Sequence, residues 1–261
     1  MDRLENLNAI IQGLMANEHV SHRIPSSLHE KQRMMRALMN VWEPREVSAE
    51  LLAMQDAELK QQVEDKGVVT IGSIAEANFS LFTFHSSLLL WQGDITRLKV
   101  DAIVNAANAQ GLGCWAPLHN CIDNCIHSAA GIQLRKECYD QLQGRLLKTG
   151  EAIITKGYNL PAKHVIHTVG PIIDTDRPTI EQEEQLAQCY RSCLDLAEQA
   201  GLESIAFCCI STGVFHFPNE RAAEIAVETV KRYPRQSVKT VVFNVFLDKD
   251  RDVYRQLIIN N

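Results

Sequence analysis

Residues 111–127 read GLGCWAPLHNCIDNCIH and hold three of the chain's eight cysteines and two of its nine histidines. Thiolate sulfur and imidazole nitrogen are the protein donors zinc prefers. Cys114, His119 and Cys121 form a C-x4-H-x-C set, with Gly113 to let the backbone turn and Pro117 to stiffen it. Three protein ligands leave one tetrahedral position open, which is the pattern of a working metal site rather than a closed structural one. The spacing is not that of a standard zinc finger, and a reduced thiol cluster without metal is the competing interpretation. Cys125 and His127 are rival ligands, but both fall in the helical stretch that follows. Cys138, Cys189, Cys193, Cys208 and Cys209 fall in helices or apolar runs and read as small core residues. His164 and His167 flank a strand and read as structural.

Three other stretches carry chemistry. AIVNAAN ends in Asn105 and Asn108, side chains that both donate and accept hydrogen bonds, and AQGLG follows with glycines that let backbone approach a ligand. CCISTGVFHFPNERAAEIA runs from a strand through Ser211, Thr212 and Gly213 to a helix start near Pro218 and Asn219. A turn of that kind presents free N–H groups to an anion such as a diphosphate, and Phe215 and Phe217 would wall it. LWQGDITRL places Asp94 at a strand end, either as a helix N-cap or as an acceptor for a ligand's amino group.

These residues need a frame. Residues 1 to about 65 read as helices: Leu4, Leu7, Ile10, Ile11 and Leu14 share one face, Ser27 with Glu30 forms a capping box, and Ser48 or a neighbour caps a third segment. After Lys66 the pattern becomes short apolar strands (SLLLWQGDI, VDAIVNAAN, EAIITKGYN, HVIHTVG, SIAFCCIST, TVVFNVFL) alternating with amphipathic helices. That is an α/β domain with a largely parallel sheet, and such sheets bind ligands at the carboxyl ends of their strands. The composition, 46% hydrophobic and 22% charged, is that of an ordinary globular chain. A net charge of −6 argues against a general nucleic-acid binder. No apolar run reaches membrane-spanning length and no signal-peptide core opens the chain, so the expected setting is cytoplasmic, with eight reduced cysteines.

Taken together, WQGDIT, VDAIVNAAN, IHSAAG, GEAIITKGYNLPAKHVIHTVGP and STGVFHFP resemble the macrodomain, the ADP-ribose-binding module, and occur in its order. The loop carrying Cys114, His119 and Cys121, together with the helical N-terminus, resembles the zinc-containing microbial class of that family. The resemblance implies a three-layer α/β/α fold with a mixed sheet, divided as a helical extension over residues 1–66 and a macrodomain over residues 67–261. By the same resemblance, Asp94 binds the adenine amino group and Ile95 contributes backbone. Asn108 serves the distal ribose, and Cys121, Ile122 and Asp123 line the reacting end. Ser211, Thr212, Gly213, Val214 and Phe215 wrap the diphosphate. Asn108 and Asp123 are the implied catalytic pair, with Asp123 a general base. Two departures stand out. The metal-ligand loop replaces a familiar run of glycines, and His216 stands where many relatives have glycine, a position at which a Cβ imposes ordinary backbone geometry or strain.

The function so implied is zinc-dependent removal of mono-ADP-ribose from a modified protein side chain, with ADP-ribose released and a lipoyl-carrier protein as one carrier. Neither nucleic acid nor membrane is an expected partner. The alternatives are a non-catalytic ADP-ribose reader and a hydrolase of O-acetyl-ADP-ribose.

Overall fold

The computed structural model of the chain describes residues 2–78, 88–175 and 177–259. Three helices come first: α1 (Arg3–Glu18), α2 (Leu28–Asn40) and α3 (Ala49–Lys66). Their apolar stripes meet in a cluster of their own, with Leu7, Ile10, Ile11, Leu14, Met35, Trp42, Leu51 and Leu59 buried in it. Ile132, from the helical layer of the main domain, joins that cluster and ties the two parts. Leu4, expected on the buried face, sits at the margin of the stripe and is exposed. Ser27 caps α2 by accepting from the Glu30 amide, but the Glu30 carboxylate takes the Ser27 hydroxyl rather than the Ser27 amide, so the box is not closed. The closed boxes are at Asp2 with Glu5 and at Thr179 with Gln182. Ser48 caps α3 by accepting from Leu51 N. The buried carboxylate of Glu58 takes a two-pronged ion pair from Arg3 and further amide hydrogen bonds from Gln32 and Gln62.

A short parallel pair, β1 (Val69–Thr70) with β3 (Leu98–Lys99), and helix α4 (Ile71–Asn78) connect this bundle to the main sheet. The main sheet has six strands: β2 (Leu88–Gln92), β4 (Ala102–Ala106), β5 (Ala152–Lys156), β6 (His164–Thr168), β7 (Ser204–Phe207) and β8 (Thr240–Val245). They lie in the order β2-β8-β7-β4-β6-β5. All neighbours are parallel except β5 against β6, so the sheet is mixed. Helices α5 (Ile122–Ala130), α6 (Ile132–Leu142), α7 (Ile180–Gln199), α8 (Asn219–Arg232) and α9 (Asp248–Ile259) complete the flanking layers. Central strands covered on both faces need near-continuous apolar sequence. Ala102, Ile103 and Val104 on β4 and Ile205, Ala206 and Phe207 on β7 are accordingly buried.

Cys138, Cys189, Cys193 and Cys208 are buried and Cys209 half-buried, as core thiols. Among the described residues, no helix is long and apolar enough to cross a membrane.

Candidate active site and metal loop

The carboxyl ends of β4, β7, β2 and β8 gather the residues singled out in the sequence. β4 ends at Ala106, and the segment to Cys121 has no helix or strand of its own. Cys121 is the N-cap of α5, its sulfur accepting from Asn124 N at 3.4 Å. Cys114 Sγ and His119 Nδ1 lie 3.6 Å apart. The ligand atoms of Cys114, His119 and Cys121 all fall within 4.8 Å of one another. Tetrahedral bonds of about 2.3 Å to sulfur and about 2.1 Å to nitrogen put two ligands about 3.6 Å apart, the separation of the Cys114–His119 pair, so the three donors are grouped on the scale of a zinc site. Burial pushes the Cys121 thiol up to about 12; the Asn124 amide works against the rise and neighbouring Cys114 adds to it. Two thiolates this close are unfavourable without a cation, and a bound cation would remove that penalty. The rival ligands point elsewhere: Cys125 receives Arg36 Nη2 at 3.8 Å, and His127 turns into the interior.

Gly111 and Gly113 both have positive φ, +66° and +82°. A Cβ on Gly113 would stand 2.7 Å from the His127 ring, so the loop lies flat on that ring only because no side chain intervenes. Gly113→Ala is therefore expected to destabilise the protein by roughly 2–4 kcal/mol, combining left-handed strain with overpacking. Urea unfolding checks this, and an unchanged midpoint would refute it.

Behind the loop lies a buried polar network. Asn105, which the sequence placed at a ligand-facing strand end, points inward and is fully buried. Its amide donates to Asp123 Oδ1 at 2.7 Å and to His167 Nδ1 at 3.1 Å. That leaves the His167 proton on Nε2, facing Thr155 Oγ1 at 3.0 Å. His127, Cys138 and His167 form the second group among the described residues with metal-capable atoms. His167 is already satisfied by this hydrogen-bond chain, whereas both ring nitrogens of His127 are buried without a hydrogen-bond partner, its Nε2 3.6 Å from Asp123 Oδ1. Burial lowers the pKa of both histidines, His167 to about 3 and His127 well below its usual value. Burial also raises the Asp123 carboxyl to about 6, against the pull of the Asn105 amide and the Arg135 charge.

Asn108 stands in front of this network. Its Nδ2 donates to Gly113 O at 3.2 Å and to Asp123 Oδ2 at 3.4 Å, and its Oδ1 accepts from Gln110 N. One asparagine thus connects the metal loop to the buried carboxylate. Asp123 has both oxygens engaged and is only 5% exposed. Ile122, beside it, is half-buried against the main core.

After β7 the chain makes a tight turn, with Phe217 N donating to Ser211 O at 3.0 Å and His216 N to Gly213 O at 3.1 Å. Ser211 sits at φ +65°, with its hydroxyl buried and unpartnered. Gly213 and Val214 are exposed at the tip, and Thr212 Oγ1 donates to Cys209 O. His216 takes the strained alternative, at φ +57°. Of the two expected aromatic walls only Phe215 is available; Phe217 is core. Helix α8 starts one residue earlier than the Asn219 cap implied. Pro218 holds the N-cap position, and the Asn219 amide donates to Asp250.

Asp94 is a cap and half-buried. Its Oδ1 accepts from Thr96 N and Oγ1, at 3.0 and 2.6 Å, while Oδ2 faces Lys66 Nζ at 3.2 Å. Burial raises the carboxyl, but Thr96 and Lys66 together outweigh this and hold it below the usual aspartate value. The Ile95 side chain is core, which leaves only its backbone for a ligand. The apolar run TVVFNVFL had merged Phe246 and Leu247 into the last strand. β8 in fact stops at Val245, and Phe246 is 72% exposed beside β2, whose Gln92 amide holds the Phe246 carbonyl. A large exposed aromatic at a strand's carboxyl end offers a flat apolar face to a ligand, and its place inside the apolar run hid it in the sequence.

A mixed sheet between helical layers, with an aspartate, an asparagine and a strand-to-helix turn converging at the carboxyl ends, is the macrodomain architecture. The Macro domain family model matches residues 104–226. A protein from Treponema medium named protein-ADP-ribose hydrolase is 47% identical over 243 residues, covering 90% of each chain. One of the same name from Staphylococcus aureus strain MSSA476 is 45% identical and covers 98% of this chain and 97% of its own. The crystal structure of a Trypanosoma brucei macrodomain in complex with ADP-ribose superposes with a TM-score of 0.63 at 30% identity, covering 85% of this chain and 94% of that one. The chain belongs to the macro domain family.

Proposed function

We propose that the protein is a protein-ADP-ribose hydrolase that releases ADP-ribose from a modified side chain and uses a zinc ion held by Cys114, His119 and Cys121. The observation that carries the reading is the placement of Asn108, bridged to the metal loop at Gly113 and to Asp123. The two full-length relatives named for this activity support the reaction class.

In this reading ADP-ribose lies across the carboxyl ends of the strands. Asp94 accepts from the adenine amino group and Phe246 stacks on the ring. Amides of the Ser211–Phe215 turn bind the diphosphate, and the buried Ser211 hydroxyl gains the partner it lacks. The distal ribose then meets Asn108, Ile122 and the metal loop. The reaction breaks the bond between the ribose and the carrier side chain; water supplies hydroxyl to one product and a proton to the other. Zinc, when bound, supplies Lewis acidity toward a ribose oxygen or water in its open position. Asn108 orients the ribose. Asp123 sits behind Asn108 with both oxygens engaged, so it fixes the Asn108 amide. A lipoyl-carrier protein as the modified partner follows from the class resemblance alone.

Asp94→Ala is expected to weaken ADP-ribose binding by about 1.5–3 kcal/mol, the loss of a charge-assisted hydrogen bond. Calorimetry with free ADP-ribose tests this. An unchanged Kd would reduce Asp94 to its capping and Lys66 contacts. A reader that binds ADP-ribose normally but releases none from a modified protein would exclude the hydrolase, and activity confined to O-acetyl-ADP-ribose would replace the protein substrate.

A further inference from the structure

The segment between Gly111 and Cys121 holds the three ligand side chains but has no helix or strand of its own, and His119 is exposed. Leu118, next to His119, sits in the left-handed region at φ +60°, which a leucine adopts only when its surroundings enforce it. The enforcing contacts come from outside the macrodomain fold. Asn40 of α2, itself 1% exposed, accepts from Leu118 N at 2.9 Å and donates to Ser128 Oγ at 2.9 Å. Arg36, one turn earlier on α2, donates through Nη2 to His119 O and to Asn124 Oδ1, each at 2.7 Å. The Asn124 amide in turn donates to Ala116 O at 2.9 Å and Cys114 O at 3.4 Å. Arg135 adds a link from the other side, donating to Leu112 O and to Trp42 O at the end of α2, both at 2.6 Å. Every stretch of the loop that carries a ligand is therefore pinned, directly or through Asn124, to a helix fixed by the separate core of Met35, Leu38 and Met39.

We propose that the helical extension is part of the metal site, with Arg36 and Asn40 as positioning residues that hold the loop in ligating geometry. The inference rests on the zinc reading above. Its logic is that of the outer shell of a metal centre: groups that fix the ligands set the affinity, and their loss typically costs about 10–100-fold. The Arg36 guanidinium reaches His119 O and Asn124 Oδ1 through Nη2 and Ser128 Oγ through Nε, a rigid spread of donors that a lysine ammonium does not reproduce.

The test is a competition titration of zinc against a chromophoric chelator, on the full chain and on folded variants checked by circular dichroism. Wild type should take up one zinc. Arg36→Met should bind it about 10–100-fold more weakly, and Arg36→Lys should recover only part of the loss. Arg3→Met, which breaks the Arg3 ion pairs to Glu58 and Asp65 inside the extension but touches nothing in the loop, should keep wild-type zinc affinity. If Arg36→Met fails to fold, Arg36→Gln carries the same comparison. Wild-type affinity in the Arg36 variant overturns the proposal. So does an equal loss in Arg3→Met, because the effect would then belong to the extension's stability. A wild type that takes up no zinc overturns the zinc reading itself, an outcome visible before any variant is compared.

Discussion

His119→Ala should lower single-turnover release of ADP-ribose from a modified protein by at least about 100-fold, the order expected when a metal's several kcal/mol of charge stabilisation is lost. Affinity for free ADP-ribose should fall far less. His119 is exposed and at the loop surface, 3.6 Å from Cys114 and outside the apolar core, so its loss leaves the fold intact. The residues that bind adenine and diphosphate in this reading, Asp94, Phe246 and the Ser211–Phe215 turn, lie on other strand ends. Interactions with parts of the ligand that do not react set binding, and those at the reacting ribose set turnover. Rapid-quench release measured beside calorimetry on the same variant separates the two. A large loss of affinity with an unchanged rate would place His119 in ligand binding and contradict the assignment.

Asn108→Ala should produce the second large effect, a fall in turnover of roughly 100-fold, the cost of misplacing a reacting group by about an ångström. Asn108 holds Gly113 O and Asp123 Oδ2 at once, so its removal frees the loop from the carboxylate and leaves Asp123 Oδ2 without that amide. At saturating zinc the metal content should remain near wild type, because Cys114, His119 and Cys121 are all retained. Metal analysis alongside single-turnover release checks both halves. An unchanged rate at wild-type zinc content would mean that Asn108 serves the loop and not the ribose.

The convergence of Cys114, His119 and Cys121 and the position of the strand-end loops were legible because each is a local feature. C-x4-H-x-C, the glycines of the loop and STGVF lie within a few residues, and the apolar-strand and amphipathic-helix periods mark where each loop begins. What sequence spacing could not show was contact at long range. Asn105 looked like a ligand-facing twin of Asn108, but strand alternation turns it inward, where Asp123 and His167 meet it from α5 and β6. Phe217 looked like a second wall, yet the turn from Ser211 folds it into the core. Phe246 was hidden in an apolar run because nothing in TVVFNVFL marks where pairing with β2 ends. The hold of Arg36 on His119 spans 83 residues, and a polar residue on the face of an amphipathic helix gives no hint of such a partner.

The most direct test of zinc-dependent release of ADP-ribose is single-turnover release on the wild-type chain, first as purified, then after chelation, then after one equivalent of zinc is returned. The account predicts that chelation abolishes release while calorimetric binding of ADP-ribose persists, and that zinc restores the rate. Full release from protein shown by metal analysis to hold no zinc would contradict it.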